Sequence, residues 1–330
     1  MDSSRKRMPQ QPASGSVNLG SGKVINDHAI SLQPSPRGPQ DIPDDVADSK
    51  PAAGSSRLFE WQNARTGLPY GNGHGPSKVV CVVNRKGGVG KTTTAFNLAG
   101  VLSQKGKQVL MIDLDPMGSL CRSLNIRPDK KALSDLLVGI SGSLGELIRK
   151  THIPNLFVIP GDPNLRTLEM RYGASMGYRH ALREKLAEVL KWKPFPFVII
   201  DCPPSLGLIS GNALIASNKA LIPIDGSTYG MGALVDTMGI IKLVHNNVNQ
   251  DLSVCGLLLN NVDLSTIYDQ TVREVLREQF PDLLFRTVIP TSPESDICSQ
   301  VGEPVTRYAP SCWMAKAYLQ LVDEIVERCN

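Results

Sequence analysis

Lys86-Gly87-Gly88-Val89-Gly90-Lys91-Thr92-Thr93 decides how the rest of the chain is read. The apolar run Lys78 to Val83 before it reads as a buried strand, and Thr94 to Ser103 after it reads as a helix. A glycine-rich turn between a strand and a helix is a setting in which backbone N–H groups crowd around an anion. Glycine permits that approach because no Cβ stands in the way. The helix start adds unpaired N–H groups and the positive end of its dipole. The pattern assigns a phosphate cradle to Gly87, Gly88, Val89, Gly90, Thr92 and Thr93. Lys91 is placed to reach the β- and γ-phosphates, and the Thr92 hydroxyl to ligate Mg²⁺. The plain phosphate-loop pattern wants glycine where this chain has Arg85, and a second lysine, Lys86, opens the loop.

Short apolar runs continue outward from that loop. Gln108–Ile112, Leu156–Ile159, Phe197–Ile200, Ala220–Pro223, Ser253–Leu259 and Arg286–Ile289 join Lys78–Val83 as expected strands. Several are apolar throughout, as strands buried on both faces are. Amphipathic segments lie between them, notably Tyr178–Leu190, Gly232–His245, Thr266–Gln279 and Met314–Arg328. The alternation predicts an α/β fold: a mostly parallel twisted sheet with helices on both faces, of the P-loop NTPase kind. Ligands of such sheets bind beyond the carboxyl ends of the strands, and the glycine loop falls at that edge.

Residues 1–76 have a different composition, rich in Ser, Pro, Gly, Gln and Asp, and are expected to be a disordered extension. Only Arg57-Leu58-Phe59-Glu60-Trp61 stands out there, and it is read as a chance apolar cluster. Residues 77–330, about 250 in all, suit one domain with a substantial core. Lys and Arg number 35 against 31 Asp and Glu, a net +4 that by itself argues for neither nucleic acid nor a membrane surface. The seven cysteines form no C-x-x-C pair, which fits a reducing cytoplasm better than a disulfide scaffold or a zinc site. No secretory signal pattern opens the chain, and no apolar run approaches the roughly 20 residues that span a bilayer.

Two further acidic motifs follow expected strands. Ile112-Asp113-Leu114-Asp115-Pro116 puts alternating carboxylates at the end of the second strand. Phe197-Val198-Ile199-Ile200-Asp201-Cys202-Pro203-Pro204 is an apolar strand ending in Asp, an arrangement that binds Mg²⁺. Its two prolines restrict φ in the loop that follows.

The order and wording of these motifs resemble the ParA/MinD class of deviant Walker A ATPases, with ParA/Soj partition proteins the nearest branch. The similarity covers Lys78 to Glu327. It includes the loop lysine Lys86, the Asp113-Leu114-Asp115-Pro116 segment, Asp201-Cys202-Pro203-Pro204-Ser205-Leu206-Gly207, and Gly302-Glu303-Pro304-Val305. The resemblance implies ATP and Mg²⁺ as cofactors and slow, partner-stimulated ATP hydrolysis. It implies an ATP-dependent homodimer in which Lys86 crosses to the partner's nucleotide. By the same resemblance Asp115 places or activates the attacking water, and Asp113 supports the network of Asp201, Mg²⁺ and lysine. The loop after Asp201 senses the γ-phosphate. Asn260 and Pro290, at the ends of later strands, wall the adenine.

The family role is plasmid or chromosome partition with a ParB-like activator and non-specific DNA. This chain departs from it where the family carries DNA-contacting arginines: Ser265, Thr291 and Cys312 stand there instead. Arg273, Arg277, Arg286, Arg307 and Lys316 are candidates for a substitute patch. The alternative is an orphan ParA-like ATPase that positions a protein cargo, through an adaptor, or a division site. A MinD-like membrane ATPase is disfavoured because the Tyr318–Cys329 segment has an acidic exposed face. Nitrogenase-type iron protein chemistry is disfavoured because Cys121 and Cys298 lack the expected contexts.

Overall fold

The computed structural model describes residues 77–127, 132–140, 142–172, 178–263 and 265–329. The expectations for residues 1–76, including the Leu58-Phe59 cluster, lie outside them. Eight strands form one sheet in the order β3-β4-β2-β5-β1-β6-β7-β8. They are β1 (Lys78–Val82), β2 (Val109–Asp113), β3 (Arg149–Lys150), β4 (Leu156–Ile159), β5 (Phe197–Asp201), β6 (Lys219–Ile224), β7 (Ser253–Val262) and β8 (Ile289–Pro290). All neighbours pair in parallel except β3, which runs antiparallel to β4 at one edge. The chain thus has the predicted mostly parallel α/β sheet.

Alternation along the central strands explains why they are apolar throughout. Val79 and Cys81 of β1, Leu110 and Ile112 of β2, and Val198 and Ile200 of β5 enter one core cluster. Val80 and Val82, Val109 and Met111, and Phe197 and Ile199 enter the other. A strand with helices on both sides must be apolar at both parities, and each such fully buried Val, Leu or Ile contributes about 1.5–3 kcal/mol.

The helices divide between these faces. Packed in the first cluster are α3 (Leu133–Leu137), α4 (Asn164–Tyr172), α5 (Ala181–Trp192), α6 (Leu208–Ala216) and α7 (Thr228–Asn247), with α8 (Ile267–Gln279) contributing Leu276. Packed in the second are α1 (Lys91–Gln104), α2 (Ser119–Ser123), α9 (Glu294–Val301), α10 (Val305–Tyr308) and α11 (Trp313–Cys329). Helix α1 lies so close to α10 that a Cβ on Gly100 would sit 2.4 Å from Pro304. Buried Glu324 of α11 accepts from the Arg286 and Thr287 amides at 2.9 and 3.1 Å and so fixes the approach to edge strand β8.

Most expected elements hold, with shifted ends. The strand expected at Arg286–Ile289 is reduced to Ile289–Pro290, because Arg286 and Thr287 bond to Glu324 rather than to β7. β3 has two residues and too little pattern to be read from sequence. α6 is buried nearly all round and lacks the apolar stripe that marks an amphipathic helix.

Candidate nucleotide site

β1 lies between β5 and β6, and β2 lies beyond β5, so the loops after these four strands meet at one edge of the sheet. In the phosphate loop, Gly88 and Gly90 have φ of +76° and +84°, the left-handed region that favours glycine. A Cβ on Gly90 would also lie 2.1 Å from Nδ2 of Asn260. Asn260, on β7, is buried and donates to the Val89 carbonyl at 2.7 Å. One of its two side-chain N–H groups thus bonds the loop, at a residue that the sequence expectation places in the adenine wall. Fully buried Asn84 holds the loop's other end, donating to the Pro223 carbonyl at 2.8 Å and accepting from the Lys86 amide at 2.9 Å. Arg85 turns away to pair with Asp236 on α7, which accounts for a side chain at a position where the plain pattern has glycine.

Lys91 begins α1 and is buried. Its Nζ donates to the Lys86 carbonyl at 2.8 Å. Burial pulls its pKa down, and the negative charges of Asp201 and Asp115 oppose that pull. Asp113 and Asp201 stand opposite each other in the β2–β5 register, both fully buried. Asp113 accepts from the amides of Asp115 at 3.0 Å and Cys121 at 3.4 Å. Burial nevertheless pushes its carboxyl up to about 6. Asp201 is pushed well above the usual carboxylate range by burial first and then by the Asp113 charge, with Thr92 and Lys91 opposing.

Neither Asp201 oxygen has a well-formed hydrogen bond. A buried carboxylate without donors is costly, and a divalent cation would remove that cost. Among the described residues no group of three or more His, Cys, Asp or Glu side chains forms a metal cage. Mg²⁺ beside nucleotides typically takes one or two protein ligands and completes its shell with phosphate oxygens and water, so Thr92 and Asp201 fit such an ion. Asp115 is half-buried at the turn after β2, one oxygen accepting from the Met117 amide at 2.9 Å. Gly161, at the end of β4, packs on this turn so tightly that a Cβ would meet the Asp113 carbonyl at 2.6 Å.

Lys86 meets partners that sequence reading missed. Its ammonium pairs with Asp225 and donates to Ser227 Oγ at 2.6 Å, and that hydroxyl donates to Asp225 at 3.0 Å. Asp225 directly follows β6, so it repeats the signal that marked Asp201: an apolar strand ending in an acid. Within the single chain, then, the lysine expected to cross a dimer interface is held by its own subunit.

Pro290 pairs with Val262 at the sheet edge, one strand step beyond Asn260. It lines a cavity of about 670 Å³ with Asp263, Thr291, Trp313 and Lys316. The basic side chains singled out from sequence are mostly engaged within the chain. Arg307 pairs with Glu303 at 2.9 Å, and Arg286 pairs with Glu327 at 3.2 Å. Arg273 reaches the Arg286 carbonyl at 3.4 Å, and Lys316 lies over the Trp313 ring at 4.9 Å. Arg277 is exposed on α8.

A family model described as an AAA domain matches residues 77–254. The chromosome partitioning protein ParA of Caulobacter vibrioides is 33% identical over 255 residues, covering 77% of this chain and 95% of that protein. The sporulation initiation inhibitor protein Soj of Bacillus subtilis is 34% identical over 250 residues, covering 75% and 98%. Among solved structures, the cobyrinic acid a,c-diamide synthase of Mycobacterium smegmatis with bound ATP analogue and magnesium superimposes with a TM-score of 0.65 at 27% identity. That match covers 77% of this chain and 96% of the synthase. With its loop, acidic strand ends and sheet order, the chain belongs to the ParA/Soj/MinD family of P-loop ATPases.

Proposed function

We propose that this protein is a ParA-like ATPase that binds ATP and Mg²⁺, closes into a homodimer around two nucleotides, and uses slow hydrolysis to drive segregation. The observation that carries this reading is the meeting of Lys91, Asp115 and the unmatched Asp201 around a positive-φ glycine loop. Lys91 and the loop amides hold the phosphates, while Thr92 and Asp201 hold Mg²⁺. The ion, when bound, supplies positive charge to the transferring phosphoryl group. Asp115 orients the attacking water. The loop Cys202–Gly207 runs from Asp201 past Gly87, with Pro204 Cβ 3.9 Å from where a Gly87 Cβ would stand. It is the segment that responds to the third phosphate. Lys86 leaves Asp225 and stabilises charge on the partner's nucleotide. Asn260 braces the loop, and Pro290 contributes to a wall for the base.

Residues 77–330 form the ATPase unit, and residues 1–76 an extension available to a partner. The leading partners are a ParB-like activator and non-specific DNA, in the cytoplasm. A second reading, an adaptor-linked positioner of protein cargo, is favoured by one observation: Arg286 and Arg307 are already paired with carboxylates. A membrane role is not proposed, and no helix among the described residues is long and apolar enough to cross one.

ATPase rate with and without non-specific DNA, over a salt series, separates the two readings. Stimulation that fades with salt supports DNA partition, and a rate indifferent to DNA supports cargo positioning. Light scattering of Asp115→Ala with saturating ATP tests the dimer, and a species that stays monomeric rejects it.

A further inference from the structure

The loop proposed to respond to the third phosphate is fixed at both ends. Its near end is tied to β1, where the Cys202 amide donates to the Val82 carbonyl at 3.3 Å. Its far end is Gly207, which precedes α6 and brings no side-chain cap of its own. The cap comes from another helix. Glu169, on α4, accepts from the Ile209 amide at 3.0 Å. Its other carboxylate oxygen sits 1.5 Å from where a Cβ on Gly207 would stand. A side chain at 207 would displace that carboxylate from its place.

α4 is itself firmly placed. Leu165 and Leu168 are in the core, and buried Asp162 accepts from the Asn164 amide at 3.0 Å and from Ser134 Oγ at 2.7 Å. A carboxylate on a helix N-terminus is favoured by the dipole and makes a charge-assisted bond. Between the two ends, Pro203 and Pro204 stiffen the segment that faces Gly87.

We propose that Glu169 is a positioning residue for the ATPase reaction: by clamping Gly207 and α6 it sets the rest position from which the 202–207 loop distinguishes ATP from ADP. This rests on the reading above that the loop responds to the third phosphate. Glu169 meets the site through the Ile209 amide and the space beside Gly207, so its effect passes through the loop it holds.

The test uses the full chain and the variants Glu169→Gln, Glu169→Ala and Gly207→Ala, the last displacing the carboxylate while keeping it. Affinities for fluorescent ADP and for a non-hydrolysable ATP analogue with Mg²⁺ are measured, with amide exchange over residues 203–210 in each state. ADP affinity is expected to stay at the wild-type value. The preference for the ATP analogue is expected to fall about tenfold in Glu169→Ala, the worth of one charge-assisted bond. Gly207→Ala should behave likewise, and Glu169→Gln, which keeps an acceptor, should lie between. Amide exchange at 203–210 should rise in the same order.

A lowered melting temperature with the ATP-to-ADP preference intact in all three variants would reduce Glu169 to a structural cap and overturn the proposal. If Glu169→Ala or Gly207→Ala fails to fold, Glu169→Gln decides it. Equal exchange of 203–210 in the wild type with ADP and with the ATP analogue would instead sink the underlying reading of the loop.

Discussion

Lys91, at the back of the phosphate loop, is 7% exposed and directed at the Lys86 carbonyl, whereas Lys86, at the front, keeps 24% of its side chain exposed and is held by Asp225 and Ser227. Two ammonium groups from one turn thus meet different surroundings. The buried one has lost much of its hydration, so its charge acts on an arriving phosphate with little screening, against the repulsion of nearby Asp201 and Asp115. The outer one has kept water and a carboxylate of its own, so it can exchange partners at modest cost. The difference is one of burial: one lysine is desolvated inside the subunit, and the other is hydrated and paired at its surface.

The strongest way to break this comparison is to remove each lysine in turn. Lys91→Ala should weaken ATP binding about 100-fold or more, as loss of a buried charge partner does. Lys86→Ala should leave calorimetric ATP affinity nearly intact while abolishing ATP-driven dimerisation. Equal losses in both variants would end the distinction.

Asp201→Asn sharpens the buried side. At a pH above its raised pKa, where the carboxylate is charged, removing it should raise the stability of the nucleotide-free protein by about 1–3 kcal/mol, while Mg²⁺ no longer strengthens nucleotide binding. Thermal melts with and without Mg²⁺·ATP check both halves. The neighbouring Asp113 gives this a pH signature. Its folded-state value, pushed up to about 6 by burial, lies above the ordinary carboxylate value of 3.8. Its contribution to stability is therefore complete below about 3.8 and is lost as pH rises through about 6. The nucleotide-free protein should gain from this site as pH falls from neutral, and Asp113→Asn should flatten that part of the stability curve. An unchanged curve would mean Asp113 is not the group that titrates.

The smallest expected effect lies on the outer side. Asp225→Asn frees Lys86 from a partly exposed pair worth about 0.5 kcal/mol, and a homodimer has two of them, so dimerisation should need about fivefold less protein at fixed ATP. Light scattering across a concentration series measures this. No shift would show that Asp225 does not compete with the partner's nucleotide for Lys86.

Much of the site was legible because its signals are local. Glycines at 87, 88 and 90, a lysine at the helix start, and acids ending apolar strands each announce themselves within a few residues. The same locality hid other parts. Asp225 carried the right signal but belongs to a strand whose place beside β1 only the sheet order reveals. Glu169 sits in an unremarkable helix 38 residues before Gly207, and nothing short of tertiary structure shows that one oxygen occupies that glycine's missing side chain. Asn260 was marked from the sequence, yet its amide bonds the loop itself. Two of the basic residues that looked like a patch in one dimension, Arg286 and Arg307, are paired with the carboxylates of Glu327 and Glu303 in the folded chain.

By itself the sequence determined the doubly covered parallel sheet and the phosphate loop, because hydrophobic parity and glycine conformational freedom are properties of adjacent residues. Tertiary structure alone decided which lysine is buried and which is held at the surface, and which carboxylate lacks a partner. It also decided which distant helix caps the loop after Asp201. Desolvation and charge pairing depend on what surrounds a group in space, and that is fixed only when strands far apart in the chain are laid side by side.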